Sequence, residues 1–215
     1  MKKIMFNDKY GLTQAVLEGR KTMTRRIIKC PRTFRGEWVA GFNIHRSLSD
    51  KKIVGFPCMY DADEREFDMG EILPKYKLGE VVAIAQSYRD SGYSPDSLDR
   101  HPKDLSVRGL MKDSAGWNNK MFVKSYACKH HIKITNVKVE RLQDISDEDC
   151  LKEGIIHAYT DNDGIKRYHT PHTKRGYLST DVAQQAFAFL IDKVSGKGVF
   201  QSNPYVFAYE FVLFD

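Results

Sequence analysis

Apolar residues along the chain alternate between helical and strand spacing, and this division sets the expected elements. Leu12, Ala15 and Val16 recur at helical spacing after Asn7 or Asp8, either of which suits an N-cap, and Gly19 follows where a left-handed C′ residue belongs. The pattern predicts a helix from there to Glu18. Residues 22–28 (TMTRRII) are rich in β-branched side chains and predict a strand that Pro31 interrupts. Between 32 and 75, short apolar stretches (GEWVAGF, KKIVGFPCMY) and the acidic run DADEREFDMGE predict one or two inserted hairpins. LGEVVAIA, residues 78–85, is a near-continuous apolar run and reads as a strand covered on both faces.

Residues 87–125 carry Ser, Asp, Gly, Asn and Pro without periodicity and read as a long excursion. In HIKITNVKVERL, Ile132 and Ile134 alternate in one phase and Val137 and Val139 in the other. A bulge or tight bend at Thr135-Asn136 is therefore expected. ISDEDCLKEGI predicts a short helix with Ser146 as N-cap, Asp149 at N3, Ile145 and Cys150 as a staple, and Gly154 at C′. Residues 157–178 read as a polar loop with Lys166, Arg167, Tyr168, His169, His172, Lys174, Arg175 and Tyr177. Thr180 or Asp181 should then cap a helix to about Val194, buried along Ala183, Ala186, Phe187, Leu190 and Val194. NPYVFAYEFVLF closes the chain as a strand apolar on both faces. This order implies one α+β domain, 1–215, with insertions near 32–75, 87–125 and 157–178.

Composition narrows the class. The 215 residues are 41% hydrophobic and 29% charged, enough to bury a core. No apolar run approaches a membrane span, and the N-terminus lacks the apolar region of a signal peptide, so a cytoplasmic protein without membrane association is expected. Cys30, Cys58, Cys128 and Cys150 form no Cys-x-x-Cys pair, so reduced thiols and no metal or other cofactor are expected. Cys128-Lys129-His130-His131 lacks a second ligand cluster. Asp161, Asp163 and Gly164 lack the downstream carboxylate of a calcium loop. Net charge is +6, but residues 1–35 hold ten Lys/Arg against Asp8 and Glu18. An anionic partner and a solvated basic face both account for that asymmetry.

The basic run LEGRKTMTRRIIKCP, residues 17–31, holds the candidate chemistry. A threonine hydroxyl becomes a nucleophile when a base takes its proton, and Lys21 and Thr24 converge only if Lys21 still lies in the turn after Gly19. Alternatively, Arg20 and Lys21 simply complement the negative end of the first helix. Glu153 sits unfavourably in the last turn of its helix, a placement that a salt bridge to Lys21 or Arg20 would offset. The 157–178 segment interleaves basic and aromatic residues, which suits phosphates and bases as well as solvent.

Four blocks, GRKTMTRRIIK (19–29), YKLGEVVAI (76–84), ITNVKVERLQDISDEDCLKEGI (134–155) and NPYVFAYEF (203–211), resemble in order and spacing the ASCH-domain family, especially its longer bacteriophage and prophage members. The resemblance implies a small closed β-barrel of PUA-like type with flanking helices and inserted hairpins or loops. It also implies a cleft between the first helix and the strands that binds RNA, a nucleoside or a nucleotide. Some small members of the family remove the acetyl group of N4-acetylcytidine with a Lys, a Thr and a Glu. By motif these fall on Lys21, Thr24 and Glu153. Arg20, Lys21, Thr22, Arg25, Arg26 and Glu153 form the expected ligand-binding set. Where longer members carry an Arg-Glu-Thr-Trp-like segment, this chain has Ala85-Gln86-Ser87-Tyr88. The leading expectation is nucleic-acid or nucleotide binding. The alternatives are an amidohydrolase and a phage protein that binds a host protein.

Overall fold

The computed structural model describes residues 1–92, 118–171 and 178–215. The chain opens with β1 (Lys3–Ile4), a 3-10 turn (Asp8–Tyr10) and α1 (Leu12–Leu17). The single helix expected from Asn7 or Asp8 is broken because Gly11 takes a left-handed conformation (φ 63°) between turn and helix. Asn7 caps the turn rather than the helix. Next come β2 (Met23–Ile27), the hairpin β3 (Thr33–Phe34) with β4 (Glu37–Trp38), and a small sheet of β5 (Gly41–Asn43), β6 (Cys58–Tyr60) and β7 (Glu66–Glu71). The expected insertion of hairpins at 32–75 is thus present.

β8 (Val81–Ile84) leads to α2 (Tyr88–Ser91), which carries a capping box between Ser87 and Asp90, so the excursion at 87–125 begins as a helical turn. Residues 93–117 of that excursion lie outside the described residues. β9 (His131–Arg141) is one strand, and its register against β13 (Tyr205–Leu213) slips between Glu210 and Phe211. Asn136 faces Glu210 and Ile134 faces Phe211, leaving Thr135 as the extra residue where the phase change predicts a bulge. α3 (Asp147–Lys152) has Ser146 accepting from the Asp149 amide.

The segment expected to be a polar loop instead pairs β10 (Ile156–Thr160) with β11 (Lys166–His169), and β12 (Ser179–Thr180) joins them. Asp161 makes this hairpin: its Oδ1 accepts from the amides of Asp163 and Ile165, and Gly164 supplies the positive φ. His172, Lys174, Arg175 and Tyr177 lie outside the described residues. α4 (Ala183–Ser195) buries Ala183, Ala186, Phe187 and Leu190. Its N-cap position is Val182, whose amide donates to Thr180 Oγ1, so Thr180 acts from two residues upstream. α5 (Val199–Ser202) precedes β13.

The main sheet runs β1-β8-β9-β13-β2, with β1 and β8 parallel and the other neighbours antiparallel. β13 is therefore an inner strand, which explains why both of its faces are apolar. Its Val206, Phe207, Tyr209 and Phe211 join Ile4, Val82, Ile84, Ile132, Ile134 and Leu142 in one core with α1 and α4. Among the described residues no ladder joins β1 to β2, and ring closure by hydrogen bonding is not seen. Even so, both edges line one groove, with Lys2 and Lys3 on one side and Arg26 and Ile27 on the other. The sheet must curl to bring them together. Tyr76 helps fill the seam, donating its hydroxyl to Lys3 O at 2.8 Å and meeting the Tyr209 ring edge-on at 5.3 Å. Among the described residues, no helix is long and apolar enough to cross a membrane.

Candidate functional site

Lys21 lies in the turn after Gly19 (φ 71°), ahead of β2, which is the condition for it to meet Thr24. The turn is fixed by Lys21 N donating to Ala15 O (2.9 Å) and Thr22 N donating to Lys152 O (2.9 Å), bonds that clamp it between α1 and α3. Glu153 is the C-cap residue of α3, and Gly154 (φ 103°) turns the chain away behind it.

Lys21 Nζ donates to Glu153 Oε2 at 2.6 Å and to the backbone oxygens of Glu153 and Met23, both at 2.8 Å. All three ammonium protons are therefore committed. The lysine offsets the misplaced charge of Glu153 and also satisfies a carbonyl at the end of α3. Burial draws the Lys21 ammonium below its ordinary 10.5, an effect that Glu153 opposes.

Arg25 anchors this pair from below. Its Nε donates to Glu140 (2.7 Å), one terminal nitrogen to Asp149 (2.8 Å), and the other to Glu153 Oε1 (3.2 Å). Lys138 closes the network at 3.0 Å from Glu140 and 3.1 Å from Asp149. Three cations thus face three carboxylates across β2, β9 and α3, which is how so many charges can be buried together. Burial works against the Asp149 carboxylate, yet Lys138 and Arg25 outweigh it and hold its pKa below the ordinary value.

Lys21, Thr24, Arg25, Arg26 and Glu153 line one cavity of about 50 Å³, walled by Met5, Phe6, Leu12 and the Phe187, Leu190, Ile191 and Val194 side of α4. Lys21 is 2% exposed, and Thr24, Arg25 and Glu153 are each 5% exposed. The volume admits a few waters or a group the size of an acetyl or amide, not a whole nucleobase. Among the described residues, no hydrogen bond engages the Thr24 hydroxyl, and it is not a sealed, unsatisfied atom. It therefore opens into the cavity.

Arg20 and Thr22 do not line this cavity. Arg20 is exposed and pairs with Glu18 at 2.5 Å, as a cation complementing the end of α1 would. Arg25 lines the cavity, but its guanidinium is spent on carboxylates, so it positions Glu153 rather than reaching outward. Arg26 behaves differently. It donates to Met5 O at 2.7 Å, has no carboxylate partner among the described residues, and faces both the cavity and the seam groove.

That groove, about 820 Å³, is lined by Lys2, Lys3, Arg26, Lys29 and Lys75 together with Tyr76, Phe207 and Tyr209, and among the described residues no carboxylate lines it. Lys2 pairs with Glu80 at its rim, and Lys3 donates to backbone oxygens of Lys120, Met121 and Val123. Arg26, Lys29 and Lys75 carry its uncompensated charge. Burial pushes the Tyr76 phenol up to about 12, so it stays a neutral donor. The sequence alone does not single out Lys29 and Lys75 as groove-lining residues, because only the curl of the sheet brings them together. The α4 wall was legible only as core, since Phe187 and Leu190 serve both. No family model, curated protein or solved structure matches the chain.

Proposed function

We propose that the chain is an ASCH-type, PUA-like protein, its barrel closed by side chains along the β1/β2 seam, that binds RNA or a modified nucleoside. One observation carries this reading: a cation-lined groove, without carboxylates among the described residues, opens beside a small apolar-walled cavity that holds Lys21, Thr24 and Glu153, and Arg26 and Met5 border both. Phosphates would lie in the groove against Arg26, Lys29 and Lys75. The edge of one base would reach towards Thr24 and Glu153. Tyr76 and Tyr209 line the same groove but are buried, so charge rather than base stacking would hold the ligand there. Calorimetric titration of a short single-stranded RNA is expected to show binding that the Lys29→Glu/Lys75→Glu double variant weakens at least about tenfold, from two lost phosphate contacts at low salt. Equal affinity in the variant would remove the groove from the account.

The Thr24 hydroxyl favours a second reading, hydrolysis of the acyl amide of an N4-acetylcytidine-type nucleoside. The cavity has room for an acetyl group. Thr24 would give its hydroxyl proton to the base and attack the carbonyl, and the amide C–N bond would break as the cytidine amine takes that proton. Water would then cleave the acyl-threonine to release acetate and restore the hydroxyl. Lys21 cannot accept a proton while it is an ammonium, so it would first have to pass one to the Glu153 carboxylate 2.6 Å away, and burial lowers the cost of that step. Arg26 would then face the developing oxyanion. Cytidine release from N4-acetylcytidine that disappears in Thr24→Val and falls on the order of a hundredfold or more in Lys21→Met would establish this chemistry. Release unchanged in Thr24→Val would rule out the nucleophile.

A further inference from the structure

The small sheet of β5, β6 and β7 gathers a set of ligand atoms that its sequence does not announce. Asn43 faces Cys58 across β5 and β6, and Tyr60 faces Glu66 across β6 and β7. Directly paired residues, and residues two apart on a strand, share a face, so Asn43, Cys58 and Glu66 lie on one side. The register breaks between Cys58 and Tyr60, a bulge of the kind that re-aims side chains. His45, two residues beyond Asn43, reaches the same place. Its Nε2 is 2.9 Å from Glu66 Oε1 and 3.1 Å from Oε2. One ligand atom each from His45, Cys58 and Glu66 lies within 4.8 Å of the others.

We propose that His45, Cys58 and Glu66 form a binding site for a divalent ion of the zinc class, with water completing a four-coordinate shell. Sulfur, imidazole nitrogen and carboxylate oxygen together suit zinc or cobalt and do not suit magnesium or calcium, which take oxygen shells. Tetrahedral ligands at zinc distances sit about 3.3–3.9 Å apart, so modest side-chain rotations close the set. His45 and Glu66 are exposed and Cys58 half-buried, which leaves room for those rotations and an entry path. On binding, Cys58 releases its thiol proton to solvent, His45 ligates through a neutral ring nitrogen, and the ion's two positive charges are balanced by thiolate and carboxylate. Asn43 Nδ2 donates to Glu66 Oε1 at 2.9 Å and orients the carboxylate, a supporting bond of the kind metal sites use.

The surrounding segment gives the ion a task. Between residues 32 and 73 only Val39, Pro57, Met59 and Gly70 are buried, so the inserted strands have little core of their own. A metal joining β6 and β7 to the segment just after β5 would staple them. None of the three ligands lines the Lys21 cavity or the seam groove, so the site stands or falls separately from the proposed function.

The test uses the full chain, reduced and stripped with chelator, titrated with cobalt(II). The expected result is saturation at one equivalent, with the visible bands of tetrahedral cobalt and a near-ultraviolet thiolate-to-cobalt charge-transfer band, both removed by added zinc. Cys58→Ser should lose the charge-transfer band, whereas Cys30→Ser, which alters an exposed thiol elsewhere, should keep it. His45→Ala and Glu66→Gln should each weaken binding by roughly tenfold or more. Circular dichroism of each variant establishes that it folds. No saturable binding by the wild-type chain, or a charge-transfer band that survives in Cys58→Ser, would overturn the site.

Discussion

Thr24 and Lys21 line one cavity but differ in what holds them. The Thr24 hydroxyl opens into the cavity, so replacing it with an isosteric methyl in Thr24→Val should change stability by no more than about 0.5 kcal/mol while altering ligand chemistry. Lys21→Met should behave in the opposite way. It strips the principal partner from Glu153 and two backbone carbonyls, and such a break in a buried pair costs about 3 kcal/mol. Urea unfolding of the two variants side by side checks the contrast, and equal losses would contradict it. Asp149 adds a pH signature. Its folded pKa lies below the ordinary 3.8, so its contribution is present above 3.8 and is lost as pH falls through the folded value. The stability gap between the wild-type chain and Asp149→Asn should therefore narrow on acidification below 3.8, and a constant gap would refute the network's role.

At the scale of elements, α3 is the piece most fully specified by its own residues. Ser146, the acidic first turn and Gly154 define its ends, and the structure reproduces them. Gly154 has φ 103°, while a side chain there would meet only ordinary contacts with Leu12 and Lys21. Gly154→Ala should consequently cost about 1–2 kcal/mol through backbone strain alone, measurable by denaturant unfolding. No loss would mean that the turn behind Glu153 is not held as described. The bulge at Thr135 and the strands 81–84 and 205–213 were equally legible, because hydrophobic phase and turn chemistry are local. The hairpin of β10 and β11 was not: polar and aromatic residues alternate there with few aliphatic ones, and the Asp161 turn is a weaker signal than an apolar stripe. The break at Gly11 escaped for the opposite reason, since Leu12, Ala15 and Val16 keep helical spacing whether or not the preceding turn joins them.

At the scale of the whole molecule, the proposed function depends on what the curl of the sheet assembles. Lys21, Thr24 and Glu153 could be named from the chain because motif spacing carries them. The network of Arg25, Glu140, Asp149 and Lys138 could not, since it joins β2, β9 and α3 through tertiary packing. The groove was hidden for the same reason. Its cations come from Lys2 and Lys3 at one sheet edge, Arg26 and Lys29 at the other, and Lys75 between them. The basic excess of the first 35 residues is thus partly structural, in Lys21 and Arg25, and partly turned to the groove, in Arg26 and Lys29.

The most direct test of this account is the affinity for fluorescently labelled single-stranded RNA, measured by anisotropy across a salt series for the wild-type chain and Arg26→Glu. The account predicts a log–log slope of about −0.7 for each phosphate neutralised, and a slope shallower by about that amount in the variant. Binding that is absent, indifferent to salt, or identical in Arg26→Glu would contradict it.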